Sequence, residues 1–417
     1  MDFVNPLLKE GKLPNFQRII DKGFSSKLSV TIPPVTIPSW PCSFSGLTPE
    51  KLGYCWFDDP NKGLFNSYYW REKSIFSIIK EKSFILNVPG TYPAWKINGQ
   101  MITGMMSPKF SSYPSELKLE LEKNWIINGQ SIPEIFKAFE MKKNLFLKKM
   151  REDYEFLVYV IRVPDSISHH TPLGVQKVLK YIDIGYKKID EFIGRILEDP
   201  EVENLLIFSD HGLRLYNYEF NIRRWLEKKG LLHINISNKR KLYTVIARFY
   251  DLIRNYIKID YRRYNLLKKS ILKDVIDDDF LTQKNKEKSR PAYFCSNVGG
   301  LYLKGRDKVR KKQIINSLKE ENKVKEIYES LVKEFPDFFI VLKKKYIFNH
   351  ESSLFVTRGR NMIGHTQQGL FLGIGKDIRN IQKNNINYCD IAPTILKLLN
   401  IEKKKYMDGK VIKDLLK

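Results

Sequence analysis

Six histidines are spread over the 417 residues, at positions 169, 170, 211, 233, 350 and 365, and two apolar runs lead into them in the same way. In "FLVYVIRVPDSISHH", Asp165 precedes His169 and His170; in "NLLIFSDHG", Asp210 stands directly before His211. Each run reads as a strand, and in open α/β sheets ligands gather beyond the carboxyl ends of the strands. Neutral imidazole with carboxylate oxygen suits Zn²⁺ or Mn²⁺, and two such clusters on neighbouring strand ends could hold two ions. One Asp-His pair alone would be weak evidence, because a solitary histidine is usually a satisfied surface or core residue. Its repetition at two equivalent positions favours metal binding.

A nucleophile is less easily read. "TIPPVTIPSW" has a strand ending at prolines, then Thr36, then Pro38 just inside what reads as a helix start. Proline is favoured there, and a helix amino terminus attracts phosphate, so the Thr36 hydroxyl would lie beside an anion site. Threonine is also an ordinary helix cap, and the spacing alone leaves that second role open.

These residues need a scaffold, and short apolar runs alternating with helical patterns indicate a sheet with helices on both faces. The strands expected are 27–32, 83–88, 156–161, 204–209, 337–342 and 370–375; several are apolar without alternation, as in strands buried on both faces. Val178, Ile182, Tyr186, Ile189, Ile193 and Leu197 recur at steps of three and four, which predicts a long amphipathic helix over 175–197. Residues 238–290 are basic, helical in pattern and rich in Tyr and Arg, and read as an inserted cap. The remaining 1–237 and 291–417 would form the α/β domain.

Hydrophobic residues make up 42% of the chain, enough for a large core, which excludes a disordered or fibrous protein. Lys and Arg number 72 against 47 Asp and Glu, a net charge of +25 that points to an anionic partner. The basic residues run from end to end rather than gathering in one arm, so a solvated surface explains them better than a nucleic-acid groove. Four cysteines, at 42, 55, 295 and 389, form neither a zinc ribbon nor a disulfide framework. With no apolar run long enough to span a bilayer and charges throughout the first thirty residues, the expectation is a cytoplasmic protein.

The motifs together resemble the alkaline phosphatase superfamily, in particular the type I phosphodiesterase/nucleotide pyrophosphatase family and its prokaryotic phosphohydrolase and phosphomutase relatives. The matching text is "EGKLPNFQRIIDKG", "TIPPVTIPSWPCSFSGLTPEKLGY", "ILNVPGTYPAWKINGQMITGMMSP", "PDSISHH", "FSDHG", "FNIRRWLEKKGLL", "GLYLKGR", "GHTQQGLFLGIG" and "DIAPTILKLLNI", in family order over nearly the whole chain. The resemblance implies a mixed, mostly parallel sheet sandwiched by helices. It implies Thr36 as nucleophile, Asp165, His169 and His365 as ligands of one metal ion, and Asp210 with His211 as ligands of a second. It favours His169 over His170, and Zn²⁺ over Mn²⁺. The implied activity is hydrolysis of phosphodiesters or phosphomonoesters through a phospho-threonine, acting on a small phosphate ester.

Two departures from the family pattern stand out. The residues one before and three after Thr36 are Val35 and Ser39, where nucleotide pyrophosphatases carry Lys and Asn; Ser39 becomes the substrate-binding residue expected there. Relatives also begin with a central strand whose terminal Asp binds the second metal, and Met1 falls after it, so that the first strand is expected to be missing and Asp2 is no ligand. The alternatives are a phosphomutase or phosphoglycerol-type transferase, and an inactive, shortened remnant that binds anionic ligands.

Overall fold

The computed structural model describes residues 2–59, 62–170, 173–231, 290–303, 308–348 and 357–417. His233, His350 and nearly all of the expected cap at 238–290 lie outside them. The chain divides into two compact units, 1–215 with 363–417, and 216–362. Every candidate site residue belongs to the first.

The first unit holds two four-stranded sheets. One has the order β8-β1-β7-β6, from Gln382–Asn387, Phe24–Ser29, Gln368–Gly375 and Asn204–Phe208. The other has the order β4-β3-β2-β5, from Ser112–Tyr113, Gly99–Thr103, Ser83–Val88 and Phe156–Tyr159. Pairing is mixed: β1 runs parallel to β8 and β2 parallel to both neighbours, while β7 is antiparallel to β1 and β6. Strand β2, "SFILNV", is buried along its whole length, as suits an apolar run in which the one interior polar residue, Asn87, is hydrogen-bonded.

Strands β5 and β6 are equally apolar but only half-buried throughout. Each is the last strand of its sheet among the described residues. Phe156 and Val158 of β5 and Leu206 and Phe208 of β6 pack on one apolar cluster, whereas Leu157, Tyr159, Leu205 and Ile207 pack on the other. Phe156 and Val160 donate their amides to Lys82 O and Leu86 O on the β2 side. The parallel pattern therefore turns the amides of Leu157 and Tyr159 to the open edge.

Helices cover these sheets. The helix predicted over 175–197 forms at Val175–Leu197 and buries Val178, Ile182, Ile189, Phe192, Ile193 and Ile196. It also carries the buried Asp190, which accepts the amides of Asn15 and Phe16 at 3.2 and 2.8 Å. Those amides open the helix Pro14–Lys22, whose unpaired first-turn donors and positive end a carboxylate satisfies. A contact 175 residues apart in sequence thus fixes the amino-terminal helix to the long one.

The second unit contains an antiparallel sheet of Arg290–Cys295, Val298–Tyr302, Phe338–Leu342 and Val324–Glu329, in that order. Its core gathers Trp225, Leu226, Leu301, Ile314, Leu318, Phe338 and Ile340. All four cysteines are buried and outside any disulfide, and among the described residues no helix is long and apolar enough to cross a membrane.

Candidate metal and phosphoryl-transfer site

The chain leaves β5 and enters a short helix, Val163–Ser168, whose Pro164 occupies the first turn, where its missing N–H costs nothing. Asp165 lies in that first turn and His169 follows the helix, so that the two meet at i, i+4, with His169 Nε2 3.3 Å from Asp165 Oδ1. His365 comes from the strand Thr357–Thr366 and places its Nε2 3.1 Å from the same oxygen. The ligand atoms of Asp165, His169 and His365 all lie within 4.8 Å of one another. His170 turns away, with Nδ1 2.9 Å from Ser166 O and Nε2 3.3 Å from Gln130 O.

Asp210 and His211 follow β6, and His211 Nε2 lies 3.3 Å from Asp210 Oδ2 and 3.9 Å from Asp165 Oδ1. The His211 and His365 rings stack at a centroid distance of 3.7 Å. The two strand-end pairs, Asp165 with His169 and Asp210 with His211, leave strands of different sheets and converge around one carboxylate oxygen.

The protonation pattern shows what the cluster suits. A carbonyl oxygen only accepts, so the 3.1 Å contact from His365 Nδ1 to Pro34 O places the proton on Nδ1 and the lone pair on Nε2. In the neutral ring that lone pair faces a carboxylate oxygen, and only a proton added on Nε2 makes the contact a hydrogen bond that favours ionised Asp165. His211 repeats the arrangement: Nδ1 lies 3.4 Å from Gly212 O, and the buried Nε2 has no hydrogen-bond partner among the described residues. Acceptors facing acceptors need a proton or a cation between them, and imidazole nitrogen with carboxylate oxygen is a donor set for a divalent metal. The residues present therefore fit a metal site.

The two carboxylates respond differently to this setting. Burial would raise Asp165, but hydrogen bonds and charge from His169 and His365 outweigh it and hold the group well below its usual range. Burial raises Asp210 to about 7, with the charge of Asp165 adding to the shift. Burial lowers His211 to about 3, with His365 contributing, so it is neutral and able to ligate at pH 7.

Thr36 is the first residue of the segment Thr36–Ser45 and is buried. Ile37 departs from helical geometry, at φ −109° and ψ 120°, so a kink separates Thr36 from the helix proper. The flanking cap position is Val35, and no side chain caps this end. The His365 contact to Pro34 O ties the turn that carries Thr36 to the carboxylate cluster. Ser39 is fully buried, and its hydroxyl meets that of Thr31 at 2.5 Å, while Thr31 also donates to Pro33 O. Asp2 pairs with Arg214 at 2.5 Å.

Two basic residues escaped the sequence reading. Arg162 Nη2 lies 3.7 Å from Asp165 Oδ2, and Lys142 is buried, brought down to about 7 by burial and by Arg162. Arg162 stands three residues before Asp165, a spacing that places them together on a helical turn; Lys142 carried no comparable signal.

The site is a carboxylate and histidine cluster beside the strand ends of an α/β fold, a donor set that suits a divalent metal. The chain belongs to the type I phosphodiesterase/nucleotide pyrophosphatase family, whose model matches residues 2–354. Family members are metal-dependent hydrolases of phosphoester bonds. Among solved structures, the fold is similar to murine ectonucleotide pyrophosphatase/phosphodiesterase 5, in an inactive form with AMP, at a TM-score of 0.57 and 14% identity over 97% of this chain and 94% of that one. The human protein of the same name gives a TM-score of 0.55 at 15% identity, over 97% and 94%. No curated protein matches the sequence.

Proposed function

We propose that the chain hydrolyses small phosphodiesters or phosphomonoesters with Thr36 as nucleophile and two divalent cations, Zn²⁺ ahead of Mn²⁺. Asp165, His169 and His365 would hold one cation, and Asp210 with His211 the other. Bound there, the cations supply Lewis-acid neutralisation of the phosphoryl oxygens. The observation that carries the reading is His365, which touches Pro34 O on the Thr36 turn with one nitrogen and Asp165 with the other.

Thr36 Oγ1 would attack phosphorus, forming one P–O bond as the ester P–O bond breaks and the alcohol leaves with a proton. Water would then cleave the phospho-threonine and return the hydroxyl. Among the described residues no hydrogen bond commits the Thr36 hydroxyl, which suits that role. The test is Thr36→Ala assayed on a chromogenic diester and monoester, with metal content measured in parallel. Turnover should vanish while metal is retained; unchanged turnover would remove Thr36 from the reaction. Adding an acceptor alcohol separates hydrolysis from transfer through the product ratio.

A further inference from the structure

The carboxyl end of β5 is enclosed by a closed circuit of hydrogen bonds. Lys142 donates from Nζ to Asn87 Oδ1 and to Ile127 O, at 2.9 Å each. Asn87, in the left-handed region at φ 62°, donates from Nδ2 to Val160 O at 2.7 Å. Two residues beyond Val160, Arg162 donates from Nη1 to Asn128 Oδ1 at 2.6 Å, and Asn128 is the chain neighbour of Ile127, where the circuit closes. The other arm of the same guanidinium faces Asp165 Oδ2, while Asp165 Oδ1 faces His169, His211 and His365.

We propose that Arg162 is a positioning residue for Asp165, and that Asn128 anchors Arg162 in that role. The inference rests on reading Asp165 as a metal ligand. A carboxylate on a rotatable side chain can present either oxygen; a planar guanidinium held at its far side by Asn128 occupies Oδ2 and leaves Oδ1 to the histidine side. Groups that orient metal ligands in this way set affinity as well as geometry.

The sign of the effect separates positioning from simple charge. Arg162 is a cation beside a cation site, so if it acted only through its field, removing it would tighten metal binding. Positioning predicts the reverse. The experiment is titration of the metal-stripped full chain with Zn²⁺ against a chelating dye, for wild type, Arg162→Met, Arg162→Lys, Asn128→Ala and Asp165→Asn. Arg162→Met should weaken Zn²⁺ binding by about 10- to 100-fold, and Arg162→Lys should restore little of it, because an ammonium cannot span both contacts. Asn128→Ala, an exposed loop change that keeps every charge, should weaken it by about three- to tenfold. Unchanged or tighter binding in Arg162→Met, or wild-type binding in Asn128→Ala, overturns the proposal. If Asp165→Asn itself binds Zn²⁺ like wild type, it is the ligand assignment that fails.

Discussion

Asp165 and Asp210 are the same residue type, follow two strands that end at one site, and are about equally sheltered, with side chains 20% and 15% exposed. Their electrostatic states are opposite. Asp165 is held ionised by histidines and flanked by Arg162, whereas Asp210 has burial and the negative Asp165 against it. The histidines balance burial at the Asp165 corner, whereas burial outweighs the smaller help that His365 and Arg162 give Asp210. The two halves should therefore respond differently to metal, pH and substitution.

The largest expected effect falls on the balanced corner. Asp165 Oδ1 is shared by three imidazole nitrogens, so Asp165→Asn removes the group that both halves meet. Turnover should fall by roughly a thousandfold, with Zn²⁺ content reduced when measured by atomic absorption. Stability should fall as well. A carboxylate held below its unfolded value stabilises the fold above about pH 4, and that contribution disappears as pH drops through the folded value. Metal-free Asp165→Asn should therefore melt below wild type at pH 7, with the gap narrowing in acid.

Asp210 should behave in the opposite sense when metal is absent. A carboxyl raised to about 7 makes the fold less stable as pH rises from about 4 to 7, because the native state keeps a proton that the unfolded chain releases. Metal-free Asp210→Asn should thus exceed wild type at pH 8 by up to about 4 kcal/mol in urea unfolding, with no gain at pH 4. Saturating Zn²⁺ should reverse the order, since a cation that binds only the native state stabilises wild type by mass action. An Asp210→Asn protein less stable than wild type without metal would end the distinction between the two corners.

Much of this was legible in the residues. The two strand-end pairs, the helix over 175–197 and the strand 83–88 follow from apolar periodicity and local spacing, and all appear in the structure. His365 became connected to the others only through family resemblance, because no local spacing links residues 165 and 365. The runs at 156–161 and 204–209 are apolar without alternation, the pattern expected of strands buried on both faces, yet the strands they form are half-buried. A strand's apolar pattern reports which surroundings it suits and not whether a neighbour is paired on each side. Lys142 and Asn128 were invisible for a related reason: their roles arise from a circuit closed by tertiary contacts.

The smallest expected effect concerns Ser39, which the family pattern places among substrate contacts. Its hydroxyl lies 2.5 Å from that of Thr31 and its amide donates to Val35 O, so both of its polar groups have partners inside the turn. Ser39→Ala should cost about 1 kcal/mol in urea unfolding, the usual loss for one hydrogen bond whose other partner keeps a second contact, here Thr31 to Pro33 O. If the hydroxyl serves only this turn, KM for the chromogenic diester should stay within about threefold of wild type, well under the roughly 1.4 kcal/mol that a tenfold change represents. A tenfold rise in KM with unchanged stability would instead assign Ser39 to the substrate, and would show that the turn opens its Thr31 contact when the phosphate ester binds.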